Sequence, residues 1–237
     1  MTPAVAQPDI AGTLQGAIRD SWPIMRSRST VWIVFAVIAA LAGIVIPFVP
    51  VSDAATGQGM RMQLGIQPPN LLGGIAAFFV IPAVLRTVRP DFRMTFGRVL
   101  GLIGVAIVVG VVTEVAAAFL IVPGVWVGVK WSQSYWTYLL GEGKNPFGES
   151  WEMTTYHFWE TLGFLFLVAI VSGIVVIAAA IPVGVAVLAP ILAVILLPIA
   201  FLVYVYSMHI AYLATMRWML ELRRIAGSGE AIVAQSG

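Results

Sequence analysis

The chain contains no cysteine, which excludes disulfide bonds, thiolate metal ligands and cysteine nucleophiles. It has two histidines, His157 and His209, which are too few to build a metal site by themselves. It also lacks a Walker loop, the dinucleotide-binding glycine pattern, His-Glu-x-x-His and Gly-x-Ser-x-Gly. The sequence therefore predicts no cofactor, no metal, no nucleic-acid partner and no enzyme activity.

Charge is also scarce. Asp, Glu, Lys and Arg make up 10% of the residues, against about 25% in ordinary soluble domains. Residues 161–216 contain none of the four. At about 1.5 Å of rise per residue, roughly 20 helical residues cross the hydrocarbon core of a bilayer, so this run is long enough for two crossings. The composition indicates an integral membrane protein in contact with the lipid bilayer.

The apolar blocks predict an all-α, polytopic bundle of about six transmembrane helices. The predicted spans are residues 31–50, 71–88, 99–122 and 124–140, and two more within 161–216 and its flanks that divide near 182–190. Residues 51–70 are expected to form a loop. The Pro123-Gly124 pair is expected to end the third span, because proline and glycine interrupt helices.

Three regions follow from this pattern. Residues 1–30 are predicted to be a cytoplasmic segment with an amphipathic helix, since apolar residues recur there at helical spacing. This helix either lies on the inner membrane surface or packs on cytoplasmic loops, and the sequence leaves both open. Residues 31–220 form the membrane domain, and residues 221–237 are expected to be a disordered cytoplasmic tail.

The basic residues indicate the orientation, because short loops rich in Lys and Arg stay in the cytoplasm. With six spans and both termini inside, every basic residue except Arg61 and Lys130 lies on the cytoplasmic side. Four arginines cluster between the second and third spans. We interpret them first as a topology signal and second as a contact for anionic lipid. They are Arg86, Arg89, Arg93 and Arg98.

Two charged residues lie inside predicted spans and form the candidate intramembrane polar site. Glu114 precedes Pro123 by nine residues and Lys130 follows it by seven, so a helical hairpin would bring them to similar depth. A functional interpretation is a proton-coupled, ion-coupled or headgroup site. The structural interpretation, which we favour, is a buried ion pair or a hydrogen-bonded charge that fixes the hairpin. Whether the two residues pair is open at this point.

Glycines occur at helical spacing in the same region. Gly97, Gly101 and Gly104 share one predicted span, and Gly124 and Gly128 share the next. Small residues let helices approach closely. We expect packing within the chain, with homodimerisation as the alternative.

The order of features from 119 to 167 resembles a bacterial inner-membrane protein group. That group includes the membrane domain of glycerophosphoryl diester phosphodiesterases and related stand-alone six-span proteins. The shared pattern is an apolar helix closing on Pro-Gly, a basic residue several positions on, an acidic loop, and a Ser-Trp element before an aromatic-led span. The matching residues are Pro123, Gly124, Lys130, Ser150, Trp151 and Trp159.

The resemblance implies an architecture and a location in the bacterial cytoplasmic membrane. It implies no hydrolase activity, because the catalytic domain of such fusions is missing from these residues. Our leading functional hypothesis is a non-enzymatic scaffold or accessory subunit that binds another membrane protein or forms a homo-oligomer. The alternative is a small transporter or lipid-handling protein that uses the Glu114 and Lys130 region.

Overall fold

The computed structural model describes residues 7–45, 68–119, 121–141, 145–188 and 192–236. In these ranges the regular secondary structure is helical and no strand occurs, which confirms the all-α class. The helices, numbered along the chain, are α1 (Ile10–Arg26), α2 (Ser29–Val45), α3 (Pro68–Leu85), α4 (Phe96–Phe119), α5 (Ile121–Trp131), α6 (Ser134–Leu140), α7 (Pro146–Thr155), α8 (Phe158–Leu188) and α9 (Ala193–Ser236).

Three of the described helices are long and apolar enough to cross a membrane. They are Phe96–Ala118 in α4, Phe158–Pro182 in α8 and Val194–Ala226 in α9. Few of their side chains are buried inside the protein. In the most apolar 18-residue stretch of each helix, 11%, 17% and 33% of the residues are buried, respectively. Helices of this composition are stable when lipid covers them. Residues 51–67 of the predicted loop at 51–70 lie outside the described residues, and the prediction is wrong for residues 68–70, which form the first turn of α3.

The boundary between the third and fourth predicted spans is wrong. Helix α4 already ends at Phe119, and α5 begins at Ile121. Pro123 therefore lies in the first turn of α5, where a missing backbone N–H breaks no helical hydrogen bond. The predicted fourth span, residues 124–140, is also not one helix. It is divided into α5 and α6, of 11 and 7 residues, by a turn at Ser132 and Gln133.

The predicted disordered tail is wrong as well, because α9 continues to Ser236. Extending an existing helix costs far less free energy than nucleating a new one, so α9 can run through the Gly- and Ser-containing segment. Helix α8 likewise continues past Pro182 to Leu188, near the predicted division between the last two spans.

Contacts divide the chain into two compact units, each made of separate stretches. The first unit comprises Met1–Ile18, Arg93–Ala169 and Leu213–Gly237. The second comprises Arg19–Phe92 and Ile170–Tyr212. Each has its own buried core, with Leu139, Phe164, Leu213, Met216 and Trp218 in the first unit and Trp32, Val80, Leu85, Val205 and Ile210 in the second.

Candidate functional site

Helices α4 and α5 form a closely packed hairpin in the first unit. Gly124 lies against Ala117, and Gly128, one turn later, lies against Thr113. A Cβ atom on Gly124 would stand 2.7 Å from the Cα and Cβ of Ala117, whereas one on Gly128 would stand an ordinary 3.5 Å from the Thr113 Cγ2. The glycine face of α5 is thus used within the chain, and it brings the two backbones together at Gly124.

The turn between α5 and α6 is held by a hydroxyl from α7. The Ser150 hydroxyl donates to the carbonyl of Lys130 at 2.6 Å and accepts from the backbone N–H of Gln133 at 3.2 Å. Thr154, one turn further on, donates to the Ser150 carbonyl at 2.8 Å, and both side chains are fully buried. Helix ends leave backbone groups without intrahelical partners. Ser150 supplies such partners on both sides of the break.

Lys130 is enclosed by aromatic rings where α5, α7 and α8 meet. It is only 4% exposed, and its Nζ donates to the Thr155 hydroxyl at 2.9 Å. The same Nζ lies 5.4 Å, 5.8 Å and 5.9 Å from the ring centroids of Trp151, Trp126 and Phe158. An ammonium at these distances is attracted by the negative ring faces, and more strongly where water is excluded.

These side chains form what we call the Lys130 cluster: Trp126, Lys130, Ser150, Trp151, Thr155 and Phe158. Trp126 and Trp151 also contact each other edge to face, with centroids 4.6 Å apart. The cluster joins three helices through one side chain. The cluster can hold these helices together, since the Lys130 ammonium is satisfied by rings and a hydroxyl of the same chain.

Helix α7 is positioned for this contact at both ends. The Asn145 side chain caps it by accepting from the N–H of Gly148 at 3.1 Å, and Pro146 occupies the first turn. Glu149, in the same turn, forms an ion pair with Arg223 of α9. Glu149 of the acidic segment therefore helps to hold α7 against α9.

Glu114 has different surroundings. It is exposed on α4, beside Val111 and Val115, which are 55% and 51% exposed. Among the described residues, no ion pair or side-chain hydrogen bond joins Glu114 to Lys130 or to any other group. The structure does not bring the two residues of the predicted polar site together.

The arginine cluster lies around the α3–α4 connection. The Arg86 Nε donates to the Phe92 carbonyl at 3.2 Å, and the Arg98 Nη1 donates to the Arg93 carbonyl at 2.7 Å. Arg93 is exposed, and Arg89 is half-buried. Two of these side chains thus bind local backbone. Their contact with anionic lipid stays a prediction.

Two residues of the predicted family-like motif, Ser150 and Trp151, belong to the Lys130 cluster. Pro123 lies in the first turn of α5, and Gly124 makes the close contact with α4. Trp159 does not belong to the cluster, because the residue is 76% exposed and its described ring contact is with Phe158 and not with Lys130.

Sequence reasoning missed Trp126, Thr155 and Phe158. One signal was present, because Trp126 and Lys130, and likewise Trp151 and Thr155, are spaced four residues apart and so share helix faces.

Within the ranges that the structure describes, no three His, Asp or Glu side chains are grouped so as to hold a metal ion. Comparisons with protein-family models, with curated proteins and with solved structures found no match to this chain.

Proposed function

We propose that this chain is a non-enzymatic, multi-pass protein of the bacterial inner membrane that acts as a scaffold or accessory subunit. In this proposal α4 is the surface that binds another membrane protein. The observation that carries it is Glu114, a carboxylate without a described partner on the exposed face of a helix that is apolar enough to span the membrane.

Lipid alone is a poor environment for this face. Its apolar part suits acyl chains, with exposed side chains that include Leu100, Ile103, Ile107, Val111 and Val115. A carboxylate facing acyl chains is costly, up to about 2.5–3.5 kcal/mol at the bilayer centre on insertion scales. A neighbouring helix that carries a basic or hydrogen-bond-donating side chain removes this cost. The expected occupant is therefore a membrane helix with such a donor opposite Glu114.

The proposed topology has six spans with both termini in the cytoplasm. Three spanning helices and the apolar helices α2 and α3, of 17 and 18 residues, support it. The broken α5–α6 segment takes the place of the fourth span. The distribution of basic residues supports the orientation. Helix α1 supports the amphipathic N-terminal helix, which in this proposal lies either on the inner membrane surface or against the cytoplasmic loops.

The alternative is a small transporter or lipid-handling protein. The break between α5 and α6, directly after buried Lys130, favours it, because interrupted membrane helices often form binding sites. Against it, the described partners of Lys130 belong to the chain itself. The resemblance to the phosphodiesterase membrane domain implies the same architecture under either function.

Native mass spectrometry of protein extracted from its own membrane in mild detergent tests the proposal. We expect a stoichiometric protein partner with the wild type and loss of that partner with Glu114→Gln. The matched control is Glu152→Gln, which neutralises an exposed carboxylate on α7 and should retain the partner.

Two results would contradict the scaffold function. One is a partner retained equally by Glu114→Gln and the wild type, which would remove α4 as the binding surface. The other is a selectively retained lipid or small molecule with no protein attached, which would favour transport or lipid handling.

A further inference from the structure

The first unit contains an open groove of about 580 Å³ between the start of α1 and the charged segment 217–224 in the middle of α9. Its polar lining comprises Asp9, Thr13, Arg217, Glu221 and Arg224. Ligand pockets usually have volumes of about 300–1,000 Å³, so the groove has the size of a small polar ligand or a lipid headgroup. It is separate from the Lys130 cluster and from the α4 surface.

Two glycines of α1 lie next to polar side chains of the groove. The Arg217 guanidinium extends over Gly16 of α1, where a Cβ atom would stand 2.6 Å from its Nη1. Gly12, one turn earlier, also lines the groove. Any larger side chain at Gly16 would displace the guanidinium. The sequence of α1 is therefore compatible with an arginine held at the wall of this groove.

The lining carries charges of both signs, two guanidinium groups and two carboxylates. Arg224 forms a bidentate ion pair with Glu221, and the Asp9 Oδ1 caps α1 by accepting from the N–H of Gly12 at 2.8 Å. Guanidinium groups suit phosphate, because their planar donors match its oxygens. Carboxylates suit an ammonium. The lining is thus complementary to a ligand that carries both a phosphate and an ammonium group.

The position of Arg217 along α9 is the one expected for a residue at the depth of lipid headgroups. Along α9, the helix runs from Val194 to Met216 without a charged side chain, a length that crosses a hydrocarbon core of roughly 30 Å. Arg217 is the first charged residue after this stretch. A groove that begins at Arg217 therefore faces the boundary between acyl chains and water.

We propose that this groove binds a zwitterionic phosphate ester of the phosphoethanolamine type. The phosphate contacts Arg217 and Arg224, and the ammonium contacts Asp9 and Glu221. The expected source is the headgroup of phosphatidylethanolamine, because the groove is at the membrane boundary. The proposal is independent of the scaffold function, since it concerns different helices and a different kind of ligand.

The test uses the delipidated full-length chain in mild detergent, offered equal amounts of phosphatidylethanolamine and phosphatidylglycerol with the same acyl chains. Native mass spectrometry measures the lipid retained. We expect the wild type to prefer phosphatidylethanolamine and Arg217→Gln to retain about fivefold less of it, the change expected for one basic residue at a lipid surface. Arg26→Gln, which removes an exposed arginine at the other end of α1, should match the wild type.

A second variant tests the carboxylate side without threatening the fold. Asp9→Asn removes the charge but keeps a good helix cap, because asparagine caps as well as aspartate. We expect it to shift the preference towards phosphatidylglycerol, since the ammonium loses a partner and the phosphate does not. A wild type that prefers phosphatidylglycerol would overturn the proposal. So would a wild type that retains phosphatidylethanolamine while Arg217→Gln retains as much of it as Arg26→Gln does.

Soluble phosphoethanolamine, titrated by calorimetry into the same protein, distinguishes the two sources. Displacement of bound phosphatidylethanolamine by it supports a headgroup site. Binding that depends on Arg217 in a protein that retains no phosphatidylethanolamine supports recognition of the same chemistry from a soluble ester. No Arg217-dependent binding of either ligand would overturn the proposal.

Discussion

Lys130 and Glu114 are both charged residues within predicted membrane spans, but the structure gives them opposite surroundings. Lys130 is buried among three rings and a hydroxyl, whereas Glu114 is exposed on an apolar helix face and has no partner among the described residues. A charge satisfied inside the chain stabilises the fold. A carboxylate that the chain leaves unsatisfied on a helix apolar enough to span a membrane needs a partner outside the chain when lipid surrounds it. The comparison supports the proposal that Lys130 stabilises the fold and that Glu114 binds a partner.

Removing the Lys130 side chain should have the largest effect. Lys130→Ala eliminates the ring contacts, taken together, and the hydrogen bond to Thr155. If these two contributions are roughly 1.5–2 kcal/mol each, the loss is about 3–4 kcal/mol. We expect a loss of this size in the unfolding free energy measured by SDS titration in mixed micelles. Lys130→Met, which keeps most of the chain length, should lose less. A loss under about 0.5 kcal/mol, the usual range for surface changes, would show that the cluster does not hold the helices together.

Ser150→Ala should follow, because it removes the side-chain partner of the Gln133 N–H and leaves the Lys130 carbonyl with only the longer, 3.3 Å hydrogen bond from the Thr154 hydroxyl. A buried polar backbone group without a partner costs about 1–3 kcal/mol, so we expect a loss of about 2 kcal/mol. The same SDS titration measures it. Thr155→Ser, which keeps the hydroxyl that binds Lys130, provides a mild control in the same helix. Equal stability of Ser150→Ala and the control would mean that α7 does not brace the α5–α6 break.

Two glycines of α5 in the α4–α5 hairpin, Gly124 and Gly128, allow a matched pair of alanine variants. Gly124→Ala places a methyl group against the backbone of Ala117 and should cost about 1–3 kcal/mol through overpacking. Gly128→Ala has room and should be near neutral or stabilising, since alanine favours helix. Thermal unfolding of the two variants in the same detergent compares them directly. A Gly128→Ala protein less stable than Gly124→Ala would contradict the observed pairing of Gly124 with Ala117 and of Gly128 with Thr113.

The smallest effect is expected from the coupling between the two charges. Residues without shared contacts have additive effects within about 0.3–0.5 kcal/mol. A double-mutant cycle with Glu114→Gln, Lys130→Met and the combined variant should therefore show no coupling beyond this range. A coupling above about 1 kcal/mol, with each single variant less stable than the double variant, would restore the buried ion pair.

The sequence predicted the helical class and the long apolar helices because these depend on composition and length, which are local properties. It located residues 99–122 and 161–216 near the helices observed. It placed the helix end at Pro123 because proline usually interrupts helices. That expectation was wrong because the first turn tolerates proline, and α4 had already ended at Phe119.

The candidate site was predicted less well. Lys130, Ser150 and Trp151 were selected from the sequence, but their mutual contact depends on α7 packing against the α5–α6 break. Such packing joins residues about 20 positions apart and leaves no periodic signal in one sequence. Glu114 was placed opposite Lys130 because depth in a hairpin can be read from spacing. The sequence did not show whether Glu114 faces α5 or points away from it, because the face of α4 that packs against α5 was unknown.

The most direct test of Glu114 as a binding residue is photocrosslinking in native membranes from Val115, its exposed neighbour on α4. A crosslinker at Ile174, an exposed apolar position on α8, is the control. Our account predicts one protein adduct from position 115 that disappears when Glu114→Gln is added, with no such adduct from position 174. A protein adduct that persists with Glu114→Gln, or adducts to lipid alone from both positions, would contradict it.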